Sequence, residues 1–142
     1  MGANKIQIGG EHYKSSGLQH WDIVDLYDVG YFEGNISKYV TRWRKKNGVQ
    51  DLKKASHYLQ KLIESRSGGW ADYSERQPRV PHEVITHFID DNQLGATEAA
   101  ILHQVLHWRS IEDLTSVAVK LQELIDFDEF GGPTAGYVNQ DR

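Results

Sequence analysis

Leu59-Gln60-Lys61-Leu62-Ile63-Glu64 and Leu121-Gln122-Glu123-Leu124-Ile125-Asp126 agree at four of six positions, and one of the two differences exchanges acid for acid. Around this pair, Leu52, Ala55, Leu59, Leu62 and Ile63 mark one stripe of a helix. Leu114, Val117, Leu121, Leu124 and Ile125 repeat that spacing 62 residues later. Apolar residues three and four apart face one core, and self-similarity at a long period signals a repeated structural unit. Further upstream, Ile23-Val24 aligns with Val84-Ile85 and Gly34 with Gly95 at a separation of 61. The sequence therefore predicts an all-α fold of two tandem three-helix units, an internal duplication packed into one compact helical body.

The expected organisation is an N-terminal arm (1–19), a basic ligand-binding three-helix unit (20–66), a connector (67–80), a degenerate acidic three-helix repeat (81–127) and a flexible tail (128–142). In the first unit, helices are predicted over about 20–29, 33–46 and 51–65. Ile36, Tyr39, Val40 and Trp43 give the second of these its apolar face, and Asn47-Gly48 supplies the residue types that stop a helix. In the second unit, Pro81 suits a helix start. Ser110-Ile111-Glu112-Asp113 is similar to a capping box with Asp in place of Glu.

Composition narrows the function classes. The chain has 142 residues, of which 39% are hydrophobic and 25% charged, and no cysteine, so disulfides, thiolate metal sites and cysteine nucleophiles are excluded. No apolar run approaches the ~18 residues of a membrane span, and no secretory or myristoylation signal is read at the start, so a soluble, cytoplasmic protein is expected. The net charge of −4 is unevenly distributed. Residues 1–66 hold 11 Lys/Arg against 7 Asp/Glu, and residues 67–142 hold 5 against 13, so the halves carry +4 and −8.

An advance of about 100° per residue places Asn35, Lys38, Arg42 and Lys45 on one face of the second helix, beside the apolar face that holds Tyr39. Cations fixed on a rigid helix suit a ligand of clustered negative charge, because Arg grips two phosphate oxygens and Lys adds a point charge. Lys54, Tyr58 and Lys61 share a face of the third helix, and His12-Tyr13-Lys14 in the arm adds further cationic and aromatic groups. Tyr13, Tyr39 and Tyr58 are suited to stacking on a base. A plain solvated basic face is the alternative meaning of the same pattern. At the separation of 61, Lys38 becomes Ala99, Tyr39 becomes Ala100 and Arg42 becomes His103, a loss that favours ligand contact in the first unit alone. His103 and His107, at i and i+4, find no third metal ligand, Asp22, Asp25 and Asp28 read as helix-start acids, and no phosphate loop is present, so no metal site is assigned.

His12-Tyr13-Lys14, Trp21-Asp22-Ile23, Gly34-Asn35-x-x-Lys38-Tyr39-x-x-Arg42-x-x-Lys45-Lys46 and Asp51-Leu52-x-Lys54-Ala55-x-x-Tyr58 together resemble the SaV-like family of small phage proteins, over roughly residues 11 to 64. That family is mostly uncharacterised and includes an early-gene nucleotide kinase of podoviruses. The resemblance implies a phage-encoded protein acting in the bacterial cytoplasm on nucleotides, with binding roles on His12, Tyr13, Asn35, Lys38, Tyr39, Arg42, Lys45 and Lys46. The second unit has no counterpart in it.

Two readings share these residues. In one, the protein is a nucleotide kinase without a P-loop, using a nucleoside triphosphate as phosphoryl donor and Asp22 or His12 as base, with Lys38, Arg42 and Lys45 neutralising the transferred group. In the other it is a non-catalytic sponge that sequesters a cyclic or signalling nucleotide of bacterial antiviral defence. An adaptor for a host protein is a lesser alternative, and the acidic total argues against extended nucleic-acid binding. A homodimer is compatible with small helical units. On this reading, Arg42→Ala is expected to remove ligand affinity while leaving the melting temperature nearly unchanged.

Overall fold

The apolar stripes become the buried faces of helices. The computed structural model describes residues 17–67 and 80–129, and these form α1 (His20–Leu26), α2 (Tyr31–Arg42), α3 (Val49–Arg66), α4 (His82–Asp91), α5 (Ala96–Val105) and α6 (Ile111–Glu129). There is no strand among the described residues. The arm that carries His12, Tyr13 and Lys14, most of the connector and the tail beyond Glu129 lie outside them. Several boundaries differ from expectation by two to four residues: the first helix ends at Leu26, and the second and third begin at Tyr31 and Val49. The second helix ends at Arg42, and turn residues carry the chain on to Gly48. The last helix continues to Glu129, and Asp128 within that final turn is buried.

Packing follows one pattern. α2 lies on α3 and α5 on α6, while α2 also packs on α5 and α3 on α6. Ile36, Val40, Leu52, Ala55 and Leu62 from the first three helices and Ile101, Val105, Leu114, Val117 and Leu121 from the last three are fully buried in one continuous apolar cluster. Burial of a Leu or Ile side chain stabilises by about 1.5–3 kcal/mol, so this shared cluster is the dominant favourable term.

Matching features of the first two helices in each half stand 65 residues apart, and not the 61 expected from Gly34 and Gly95. Gly30 and Gly95 occupy the N-cap positions of α2 and α5. Asp28 and Gln93 both take left-handed backbone, φ 52° and 55°, and the amides that follow reach five residues back, Val29 to Val24 and Leu94 to Ile89, each at 3.1 Å. That is the closure of a helix by a Schellman-type turn. For α3 and α6 the separation is 62, as the sequence indicates. Asp51 accepts from the Asn47 amide and Asp113 from the Arg109 amide, while Ser110 Oγ also accepts from the Asp113 amide at 3.2 Å. The difference of three residues falls in the turn between the second and third helix of each half.

Two buried carboxylates tie the halves together. Glu33, on α2, accepts the indole N–H of Trp108 at 2.8 Å, and Glu98, on α5, accepts that of Trp43 at 2.9 Å. Glu33 is 4% exposed and Glu98 1%. Each carboxylate also folds back over its own helix cap, where a Cβ on Gly30 or Gly95 would stand 2.4 or 2.9 Å from it, so glycine is required at both caps by close approach.

A buried carboxylate that loses its donor retains its desolvation cost. Glu98 has a second partner, Arg44 Nε at 2.9 Å. Trp108→Phe is therefore expected to destabilise by about 3 kcal/mol and Trp43→Phe by about 1.5 kcal/mol. Urea unfolding measures both, and equal losses would mean that the indole–carboxylate bonds do not set the difference.

Candidate functional site

α2 turns one face to the core and leaves Tyr39 at the border of that face, half-buried. Three cations gather on its ring. Lys38 Nζ lies 4.7 Å, Arg42 Cζ 4.9 Å and, from α3, Lys54 Nζ 5.5 Å from the ring centroid, all within cation–π range. Tyr58 stacks on Tyr39, with centroids 5.9 Å and planes 18° apart. Tyr31, 70% exposed at the start of α2, meets Tyr58 edge-on at 5.9 Å. Hydrogen bonding to Tyr31, followed by desolvation, pushes the Tyr58 phenol above its ordinary pKa.

Arg42 is held in place from below. Its Nε and Nη2 donate to the two carboxylate oxygens of Asp51 at 3.2 and 3.5 Å, and Asp51 is fully buried. The Asn47 amide donates to the same carboxylate at 3.3 Å. Of the five guanidinium N–H groups, two are used in this grip, which fixes the plane of the fork while leaving donors for a ligand.

The sequence-predicted residues divide into three groups. Lys38, Tyr39, Arg42, Lys54 and Tyr58 are brought together. Asn35 instead bonds its own helix, Nδ2 to the Tyr31 carbonyl at 2.8 Å, and Lys45 and Lys46 stand exposed on the turn after α2. His12, Tyr13 and Lys14 lie outside the described residues. The cluster forms a partly exposed platform on α2 and α3. A cavity of about 250 Å³ lies elsewhere, between Gly17-Leu18 and the Glu83, Val84, His87, Phe88 and Asp91 side of α4. Sequence reasoning missed Tyr31 and Asp51. A signal for Asp51 exists in the Asn47-Gly48 turn, which folds α3 back so that Asp51 meets Arg42.

At the 65-residue spacing of the two helix caps, the other half presents different residues from those found at a spacing of 61. Lys38, Tyr39 and Arg42 correspond to His103, Gln104 and His107, and Lys54 and Tyr58 to Ser116 and Lys120. Lys120 Nζ donates to Gln104 Oε1 at 3.1 Å and to Ser116 Oγ at 2.7 Å, so a self-contained polar network replaces the aromatic stack.

Of the two expected bases, His12 lies outside the described residues, and Asp22 is engaged in a helix cap. Asp22 accepts from the Gln19 amide at 2.9 Å, as a helix-start acid does. His20 packs against Phe88, and its Nε2–H donates at 2.7 Å to Ser37 Oγ, whose own hydrogen goes to the Glu33 carbonyl. Burial, with the nearby Lys38 charge as a smaller cause, lowers the His20 pKa to about 4.

A family described as a protein of unknown function (DUF3310) matches residues 8–60, less than half of the chain. The match spans α1, α2 and most of α3, including Lys38, Tyr39, Arg42, Lys54 and Tyr58. Neither a curated protein nor a solved structure matches the chain.

His20 and Arg42 generate two expectations. An unfolded His titrates near 6.5, so the neutral His20 contributes its full stability above that pH and loses it as pH falls towards about 4. The loss is at most about 3 kcal/mol, and pH-dependent urea unfolding of His20→Gln should lack that increment. Arg42→Ala, contrary to the sequence-based expectation, removes the counter-charge of the buried Asp51 carboxylate, leaving it only the Asn47 donors, and should cost about 3 kcal/mol of stability, read from its thermal midpoint.

Proposed function

We propose that the platform on α2 and α3 binds a nucleotide, its phosphates on Lys38, Arg42 and Lys54 and its base against the Tyr31–Tyr58 aromatic edge. The observation that carries this reading is the convergence of three cations from two helices on one tyrosine ring. An anion that reaches this ring meets positive charge already in place on two anchored helices, so it gains attraction without reorganising them. Arg42, already oriented by Asp51, loses little freedom on binding. The resemblance to the SaV-like family supports a phage-encoded protein acting in the host cytoplasm. No helix among the described residues is long and apolar enough to cross a membrane.

Binding without turnover is the form of this reading we favour over phosphoryl transfer. Among the described residues, the carboxylate beside the cations, Asp51, is fully buried and engaged by Arg42, and burial lowers the His20 pKa to about 4, which makes it a weak base. Neither is suited to accept a proton from a substrate hydroxyl.

We also read the halves as copies of one three-helix unit. Each of α2 and α3 packs on its own counterpart, and the Glu–Trp bonds are reciprocal, which is the arrangement an isologous pair of identical units adopts. On this reading the chain carries within itself the two-fold contact that a homodimer of single units would form.

Calorimetric titration with nucleoside mono-, di- and triphosphates and cyclic nucleotides tests the site. Lys38→Ala and Lys54→Ala are each expected to weaken binding about tenfold with little change in unfolding midpoint, and binding should weaken as salt rises. Ligand recovered intact after denaturation supports sequestration, whereas appearance of a phosphorylated product supports the kinase. Silence across the panel, or binding indifferent to both lysines, rejects the nucleotide reading.

A further inference from the structure

Histidines stand where the other half has its cations, and a third comes to meet them. His103 and His107 lie on and just after α5, and His82 is the first residue of α4. His82 Nδ1 and His103 Nδ1 are 3.1 Å apart. The rings of His82 and His107 stack, with centroids 4.0 Å and planes 18° apart, and His107 Nε2–H donates to the Val80 carbonyl at 2.6 Å. His107 is thereby pinned by backbone and acts as a flat support that sets the plane of His82. The two helices are anchored in the core through Ile85, Phe88, Ile101 and Leu102, so the meeting of the two nitrogens is built into the fold.

Two imidazole nitrogens face each other at this distance either by sharing one proton, as N–H···N, or by giving both lone pairs to one cation. We infer that His82 and His103 form a binding site for a transition-metal dication of the Cu²⁺, Ni²⁺ or Zn²⁺ class, each ligating through Nδ1, with water completing the coordination. Metal–imidazole bonds of about 2.0–2.1 Å to nitrogens 3.1 Å apart make an angle at the metal of roughly 100°. That value lies between the right angle of square-planar or octahedral neighbours and the tetrahedral angle, and binding needs each ring to turn until its lone pair faces the metal, with departure of the shared proton. Imidazole excludes hard cations such as Mg²⁺ and Ca²⁺, which take oxygen ligands. No group of three or more His, Cys, Asp or Glu side chains converges as a metal site among the described residues. Among the described residues the site is therefore a two-ligand one, completed by water and of moderate affinity.

Calorimetric titration of the full chain with CuCl₂, NiCl₂ and ZnCl₂, in a buffer that does not bind metal, tests this directly. One saturable equivalent is expected, tightest for Cu²⁺, with a rise of several degrees in melting temperature. His82→Ala and His103→Ala should each weaken that equivalent at least tenfold, with far-UV circular dichroism unchanged because both side chains lie at the surface. His57→Gln and His87→Gln should leave it intact. Absence of saturable uptake, or uptake that survives His103→Ala or disappears equally in His87→Gln, would overturn the assignment.

Discussion

Two carboxylates that water cannot reach govern this fold. Glu33 and Glu98 are each buried within the first turn of a helix, and each takes an indole N–H from the opposite half of the chain. A carboxylate removed from water without donors carries a penalty of several kcal/mol, so neither half is complete until the other has docked. This is why the apolar residues of all six helices form one cluster and not two, and why Gly30 and Gly95 are needed where a Cβ would strike the carboxylate. The hydrophobic term supplies most of the stability. The crossed Glu–Trp bonds specify which faces meet.

The same constraint positions the candidate site. With one side of α2 committed to the core and to Glu33, the adjoining side is fixed in orientation, and it is there that Lys38, Tyr39 and Arg42 stand. The turn after Trp43 then brings α3 back antiparallel, which places Asp51 under Arg42 and Lys54 and Tyr58 beside Tyr39. Arg44, one residue past Trp43, lies over that indole at 4.3 Å and shares Glu98 with it. The interface between halves and the cation platform are thus joined through successive residues of one short segment, so distortion of the core would reach the platform directly.

How much of this was legible in the sequence depended on which residues carry the pattern. The α3 and α6 stripes repeat leucine for leucine, and apolar periodicity finds them. In the helices before them the matching anchors are Gly30 and Gly95, Glu33 and Glu98, Trp43 and Trp108. A search weighted to aliphatic residues passes over these. Pairing Gly34 with Gly95 was misleading for a physical reason: Gly34 sits inside α2, against Val24 and Val29, while Gly95 caps α5. The basic face was readable from helical spacing, and so was the grouping of Lys38, Tyr39 and Arg42. That Asp51 would be fully buried was not, because spacing shows which face a residue occupies and not whether a cation waits to compensate it. His82 escaped for the same reason, since its partners lie 21 and 25 residues away and only the packing of α4 on α5 joins them.

The contrast between the halves is the strongest physical reason to regard one surface as made for a ligand. At matched positions, Gln104, Ser116 and Lys120 satisfy one another by hydrogen bonds, so this part of the second half offers no cluster of cations to an anion. Tyr39, Lys54 and Tyr58 do not close on themselves in this way. They leave two lysines, and an arginine whose charge is shared with Asp51, around one ring, with an exposed tyrosine at the edge. Packing alone does not require such an arrangement, because the equivalent helices on the other side pack without it. The cations therefore represent positive charge that the first half gathers on this face and the second does not, and a bound anion is the simplest partner for it.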